Sequence, residues 1–299
     1  MPNTLAHVGA QGMATHEVLR DADPRWMYLG CVIPDLPWIL QRILLVAVPG
    51  IDPYALWAYL VVQASLFGGL LVCTAAALLT DRFWQTCVIL GGNAALHLVL
   101  DALQTKWGSG VHFFAPVSWT STNWGLFWPE SIVTYGLTTL GVLYIVWHGR
   151  ASVRQRLNLI RPGGVRLAGI VVLLAVYFTY NSPVSAPRSH RGRCAFPEGP
   201  ARVRERVGHR VALDQTRYVN TPDGPRLKLY KGRVQLRVEK LDVQPPATVS
   251  VRGVLTGADT IRVTDHYVHA GRMRDYPSYL GLAFIAFVWT IAGWRAYRT

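Results

Sequence analysis

Apolar residues in this chain gather into long runs separated by short polar intervals, a spacing that predicts membrane-crossing helices. A helix that crosses the hydrocarbon core needs about 20 mostly apolar residues. Five stretches approach that length, at 55–79, 84–103, 131–148, 164–180 and 278–294. A sixth, 28–49, is equally apolar but holds Pro34, Asp35 and Pro37 together, then Gln41 and Arg42. Prolines interrupt the backbone hydrogen-bond ladder and a mid-bilayer carboxylate is costly, so this segment reads as a re-entrant break or a sixth crossing.

The pattern changes after residue 205. Runs such as RLKLYKG, RVQLRVEKLDV, TVSVRGVLTG and DTIRVTDHYVH alternate with period two, are rich in Val and Thr, and are divided by Gly- and Pro-containing turns. They predict a small antiparallel β domain whose strand count and size suit a partly open barrel of the OB type. The expected organisation is a helical membrane domain at 1–148, an arginine loop and helix at 149–180, a linker at 181–205, the β domain at 206–277 and a last helix with a basic tail at 278–299.

Charge orients this plan. Residues 149–166 carry Arg150, Arg154, Arg156, Arg161 and Arg166 with no acid, which places that loop in the cytoplasm, as do Arg295 and Arg298 in the tail. Helix alternation then puts 104–130 and 181–277 outside, although the latter holds 18 Lys/Arg against 9 Asp/Glu. His7 and Asp101 share a side only if 28–49 dips in and returns. The N-terminus shows no basic region followed by an apolar core, so no cleavable signal peptide is expected. The expected location is a bacterial inner membrane with the β domain extracytoplasmic.

Composition agrees. The 299 residues are 51% hydrophobic and 16% charged, with mean hydropathy +0.22, against about 25% charged in a soluble domain. That argues against an ordinary cytosolic enzyme. Cys31, Cys73, Cys87 and Cys194 have no paired spacing, so no disulfide framework is implied. GxSxG, P-loop, CxxC and GxGxxG signatures are missing, which removes the commoner serine hydrolase, nucleotide and redox motifs.

The unusual polar residues lie where the background is most apolar. His97 and Asp101, spaced i, i+4, share one helical face, and imidazole with carboxylate suits a divalent metal or a buried hydrogen bond between helices. Asp35 is a functional candidate as an ionisable residue in an apolar segment. His7 and His16 occupy a short N-terminal helix, and His112 lies in a loop with Trp107, Trp119, Trp124 and Trp128, whose rings suit a membrane interface. His266 and His269, three apart in a strand, face opposite sides and are expected at the surface.

NTLAH, IPDLPW, HLVLDALQTKWGSGVHFFAP and GLFWPES, in that order over residues 1–130, resemble the YdjM family of membrane-embedded metal-dependent hydrolases, also described as LexA-binding inner-membrane proteins. That family is similar, more distantly, to the zinc-dependent phospholipase C and P1 nuclease group. The resemblance implies His7, Asp35, His97 and Asp101 as ligands, with Asp35 and Asp101 also catalytic, and zinc or manganese as the cofactor. The family's PDxDH reads Pro34-Asp35-Leu36-Pro37-Trp38 here, and its HRGxTHS has no counterpart beyond Gln63-Ala64-Ser65, leaving His16 or His112 to complete the set.

Two functions follow. One is a metal-dependent hydrolase acting on phosphoester bonds of lipid or nucleic acid, the basic β domain holding an anionic substrate or headgroup nearby. The other is a non-catalytic membrane anchor presenting that domain to a partner or to nucleic acid, for which Tyr218, Tyr230, Tyr267, Tyr276 and Phe196 form no clear stacking platform.

Overall fold

The computed structural model describes residues 3–154, 159–180, 207–229, 232, 234–271 and 275–298; the expected linker, 181–205, lies outside the described residues. Its helices are α1 (Thr4–Val18), α2 (Pro24–Val32), α3 (Leu36–Ala47), α4 (Pro53–Gln63), α5 (Leu66–Ala77), α6 (Phe83–Leu103), α7 (Ile132–Arg154), α8 (Gly164–Thr179) and α9 (Asp275–Arg298). The strands are β1 (Arg210–Thr221), β2 (Gly224–Leu229), β3 (Val234–Glu239), β4 (Ala247–Leu255) and β5 (Thr260–His269).

Four helical segments are long and apolar enough to cross a membrane: Pro24–Ala47, Phe83–Leu103, Ile132–Val153 and Asp275–Arg295. The proline-rich segment therefore does not turn back. A 3-10 turn at Ile33–Asp35 joins α2 to α3, and Pro34 and Pro37 fall at the first positions of their elements, where a missing N–H costs little. The break occurs instead in the stretch expected at 55–79, where α4 and α5 meet at 59°. Ser65 is extended there, and its side chain caps α5 by accepting from Gly68 N–H at 3.3 Å.

Asn3 caps α1, accepting from Ala6 N–H at 2.9 Å. This short helix is embedded among α6, α7 and α9. Thr15 bonds Asn93 at one end while His7 meets Asp101 at the other, so α1 runs antiparallel to α6. Gly9 and Gly141 let α1 and α7 touch backbone to backbone: a Cβ on Gly141 would collide with the Leu5 carbonyl, and one on Gly9 with Gly141. Because α1 itself passes back through the bundle, full crossing by 24–47 and a shared site for His7 and Asp101 are compatible, which removes the conflict expected from the sequence.

The β domain is a closed barrel in the order β1-β2-β3-β5-β4. Four pairings are antiparallel, but β3 and β5 run parallel, with Val238 opposite Ile261, so the expectation of a purely antiparallel domain is corrected. Tyr218, Leu227, Leu236, Val249, Val251 and Ile261 are among the residues filling its interior.

The barrel docks on loop 104–131. Asp214 accepts from Trp107 N–H at 2.7 Å, Gly108 N–H at 2.9 Å and Ser109 Oγ–H at 2.8 Å. Tyr267 stacks on Trp128 with centroids 3.8 Å apart, and Arg252 lies 4.5 Å over the Trp107 ring. Trp107 and Trp128 thus serve domain docking. At the other end of the bundle Arg166 donates to the Thr80 carbonyl at 2.8 Å and Arg295 to that of Val153.

Candidate metal centre

Two helices and the 3-10 turn bring the sequence-predicted residues together. His7 comes from the first turns of α1, Asp35 from the turn between α2 and α3, and His97 and Asp101 from one face of α6. His7, His97 and Asp101 are 0%, 1% and 2% exposed, and one ligand atom from each lies within 4.8 Å of the others. His7 Nε2 is 3.5 Å from Asp101 Oδ1, and His97 Nε2 is 3.6 Å from Asp35 Oδ1 and 4.0 Å from Asp101 Oδ2.

The outer nitrogens are fixed. His97 Nδ1–H donates to the Cys31 carbonyl at 2.6 Å, which leaves Nε2 of the neutral ring with its lone pair facing the two aspartates. His7 Nδ1 meets the Gln11 amide at 3.1 Å, and that amide accepts from Cys31 Sγ–H at 3.0 Å. The atoms that converge have no hydrogen bonds: His7 Nε2, His97 Nε2, Asp35 Oδ1 and Asp101 Oδ1 are all buried without one. Buried polar atoms normally find a partner, so three orphans gathered from His7, His97 and Asp101, with Asp35 Oδ1 beside His97, fit a cation better than a closed hydrogen-bond network.

The other candidates lie apart from this group. His16 meets His148 at a tilt, centroids 4.4 Å apart and planes 39° from parallel, and packs against Tyr144. His112 Nδ1 meets the Trp119 carbonyl at 3.1 Å. Neither belongs to the cluster found among the described residues. His266 is exposed as expected, but His269 is buried: its face of β5 packs on loop 104–131, where it meets Glu130.

Some contributors escaped the sequence reading. Lys106 Nζ sits 3.7 Å from Asp101 Oδ2 and could have been suspected from its place in the same motif. Gln11 is i+4 from His7, a spacing open to inspection; the Cys31 carbonyl, a backbone group, left no signal.

Two cavities reach the group. One of about 340 Å³ between the helices and the barrel is lined by Asp101, Lys106, Arg42, His112 and Asp214. The other, of about 550 Å³ between α3 and α9, is lined by Asp35 and Arg42 with Ile39, Ile43 and Leu282. No family model matches the chain, and neither a curated protein nor a solved structure does, so its functional reading rests on this geometry.

Proposed function

We propose that the chain is a membrane-embedded metal-dependent hydrolase of phosphoester bonds, with His7, His97 and Asp101 holding a divalent cation, zinc or manganese, and Asp35 beside them. The observation that carries the reading is the convergence of three buried ligand atoms without hydrogen bonds, from His7, His97 and Asp101, with the equally unpartnered Asp35 Oδ1 3.6 Å from His97 Nε2. The likeness of residues 1–130 to the YdjM family points the same way. Two imidazoles and a carboxylate form an ordinary donor set for zinc, with room for a further ligand.

When bound, such a cation supplies Lewis acidity and neutralises charge on a phosphoryl oxygen. Turning over the Gln11 amide lets its oxygen accept from His7 Nδ1–H, leaving Nε2 to ligate. Asp35 Oδ1, outside the tightest group, accepts the proton of an attacking water. Lys106, beside Asp101, offers positive charge to the developing oxyanion, and the walls of the inner cavity keep the dielectric low. Substrate is a phosphoester of lipid or nucleic acid. Arginines at the bundle end opposite the barrel support an inner-membrane orientation with the barrel extracytoplasmic.

The test is metal content after purification in detergent. Close to one equivalent of zinc or manganese per chain is expected, lost in His97→Ala; a wild-type protein that neither retains nor takes up metal above that variant ends the proposal.

A second reading, an anchor presenting an OB-type barrel to anionic lipid or nucleic acid, is favoured by one observation. Arg226 stands opposite Arg237, and Arg217 opposite Lys228, on the outer face of β1–β3, a row of like charges that suits an anionic ligand even though Arg226 also pairs with Asp223 and Asp259. The strand order with β3 beside β5 supports the OB type. Salt-sensitive binding of single-stranded DNA or anionic vesicles, lost in Arg226→Glu with Arg237→Glu, is the result expected from it.

A further inference from the structure

The buried groups unused by the metal site include Ser250, His269 and Glu130. Ser250 lies on β4 between Val249 and Val251, which fill the barrel, so its side chain points outward to the helical domain. Its Oγ is 2.8 Å from His269 Nε2. His269 Nδ1 is in turn 3.1 Å and 3.2 Å from the two Glu130 oxygens. Ser250 is 1% exposed, His269 7%, and the Glu130 side chain 7%, yet Ser250 and His269 both line the cavity of about 340 Å³. A hydroxyl, an imidazole and a carboxylate joined in that order are the parts of an activated serine, recognised by geometry and roles rather than by a GxSxG motif.

Two further features bear on the serine. β1 carries a bulge between Leu213 and Thr216, where Gln215 is held at φ 46°, a left-handed conformation uncommon for a residue with a side chain. That backbone aims the Gln215 N–H at Ser250 Oγ, 3.1 Å away. Strained residues of this kind gather at functional sites. The Asp214 carboxylate also lies 3.4 Å from Oγ, but it already accepts from Trp107, Gly108 and Ser109, so the shorter path for the hydroxyl proton is to His269.

We propose that Ser250, His269 and Glu130 form a second hydrolytic group on the wall of the cavity that Asp101 also lines, taking small carboxylic acid esters by a route that uses none of the metal-site residues. Ser250 Oγ bonds to the ester carbonyl carbon as its proton passes to His269 Nε2. His269 gives that proton to the alcohol oxygen as the carbon–oxygen bond to the leaving group breaks. Water then attacks the acyl group on Ser250, its proton moving through His269 to Oγ, which restores the serine and releases the acid. Ser250 and His269 are catalytic; Glu130 is a positioning residue that holds the ring with Nε2 toward Oγ.

The experiment treats the full-length protein, in detergent and with chelator present, with an alkyl fluorophosphonate, followed by peptide mass spectrometry. Expected is labelling of Ser250, none in Ser250→Ala, and slowing on the order of a hundredfold or more in His269→Gln. Glu130→Gln slows labelling and Glu130→Asp restores part of it, which a purely structural contact would not do. Absence of label on Ser250 in the folded wild-type protein overturns the proposal, as does an equal rate in folded His269→Gln. The wild-type arm decides even where a variant fails to fold.

Discussion

His7 and His97 stack ring on ring, centroids 3.9 Å apart and planes 5° from parallel, although one opens α1 and the other lies late in α6. The stack places both Nε2 atoms on the Asp101 side, and each ring is tethered through Nδ1 to a different partner. Two imidazoles in face-to-face contact cannot both carry charge cheaply, so at least one ring is held neutral, the state a metal ligand requires.

The tethers should therefore matter to metal affinity. Gln11→Leu keeps the ligands but frees the His7 ring, and binding should weaken about 10- to 100-fold. Asp101→Asn, which removes a ligand, should reduce it further. Competition with a chromophoric chelator measures both, and unchanged affinity in the two variants would favour a purely structural cluster.

The α1–α7 contact sets a second expectation. Gly141→Ala pushes a methyl group against the Leu5 carbonyl, and overpacking of this kind costs about 1–3 kcal/mol. Thermal unfolding in detergent should start at lower temperature, with metal lost alongside, since α1 carries His7. Gly163→Ala, which meets nothing within 4 Å, serves as the control.

Placement of the chain ends follows from helix direction. Cysteines introduced at Asn3 and Ser109 should react with an impermeant reagent from one face of the membrane, and one at Gly163 from the other. Asn3 is buried, so its labelling is read after partial loosening of the bundle. Reaction of Ser109 and Gly163 positions from the same face would contradict the bundle's polarity.

Docking of the barrel rests on Asp214. Asp214→Ala leaves the Trp107 and Gly108 N–H groups without their acceptor, a loss of about 1–3 kcal/mol each where burial is complete and less at this half-buried site. Hydrogen exchange at those two amides should accelerate while the strands of the barrel stay protected. Equal exchange in both proteins would place the docking energy elsewhere.

The spans expected at 84–103, 131–148 and 278–294 were legible because length and hydropathy determine them, whereas the one expected at 164–180 is a helix of 16 residues, shorter than a crossing needs. Interruptions were not legible: Pro34 and Pro37 signalled a break, yet they fall where a helix begins and needs no N–H. Ser65, which does break a span, carries no proline and acts by capping. Alternation located the strands, but the parallel partnership of β3 with β5 depends on how the barrel closes. At the site, His97 and Asp101 were marked by their i, i+4 spacing and Asp35 by being ionisable in an apolar segment, whereas His7 entered as a ligand only through a family resemblance. His269 was misplaced because a strand face buried by another domain has the same alternating pattern as one facing water.

The grip of Asp214 on Trp107 and Gly108 bears on how the chain can be divided. The clasped backbone directly follows Lys106, so the barrel steadies the stretch that carries this cation to Asp101. A fragment ending before the barrel would expose Trp128 and leave the loop amides to water, and a barrel alone would lack Glu130 behind His269. Neither half is a smaller version of the whole: the soluble-looking part and the lipid-facing part are two pieces of one mould, and the space between them is shaped only when both are cast together.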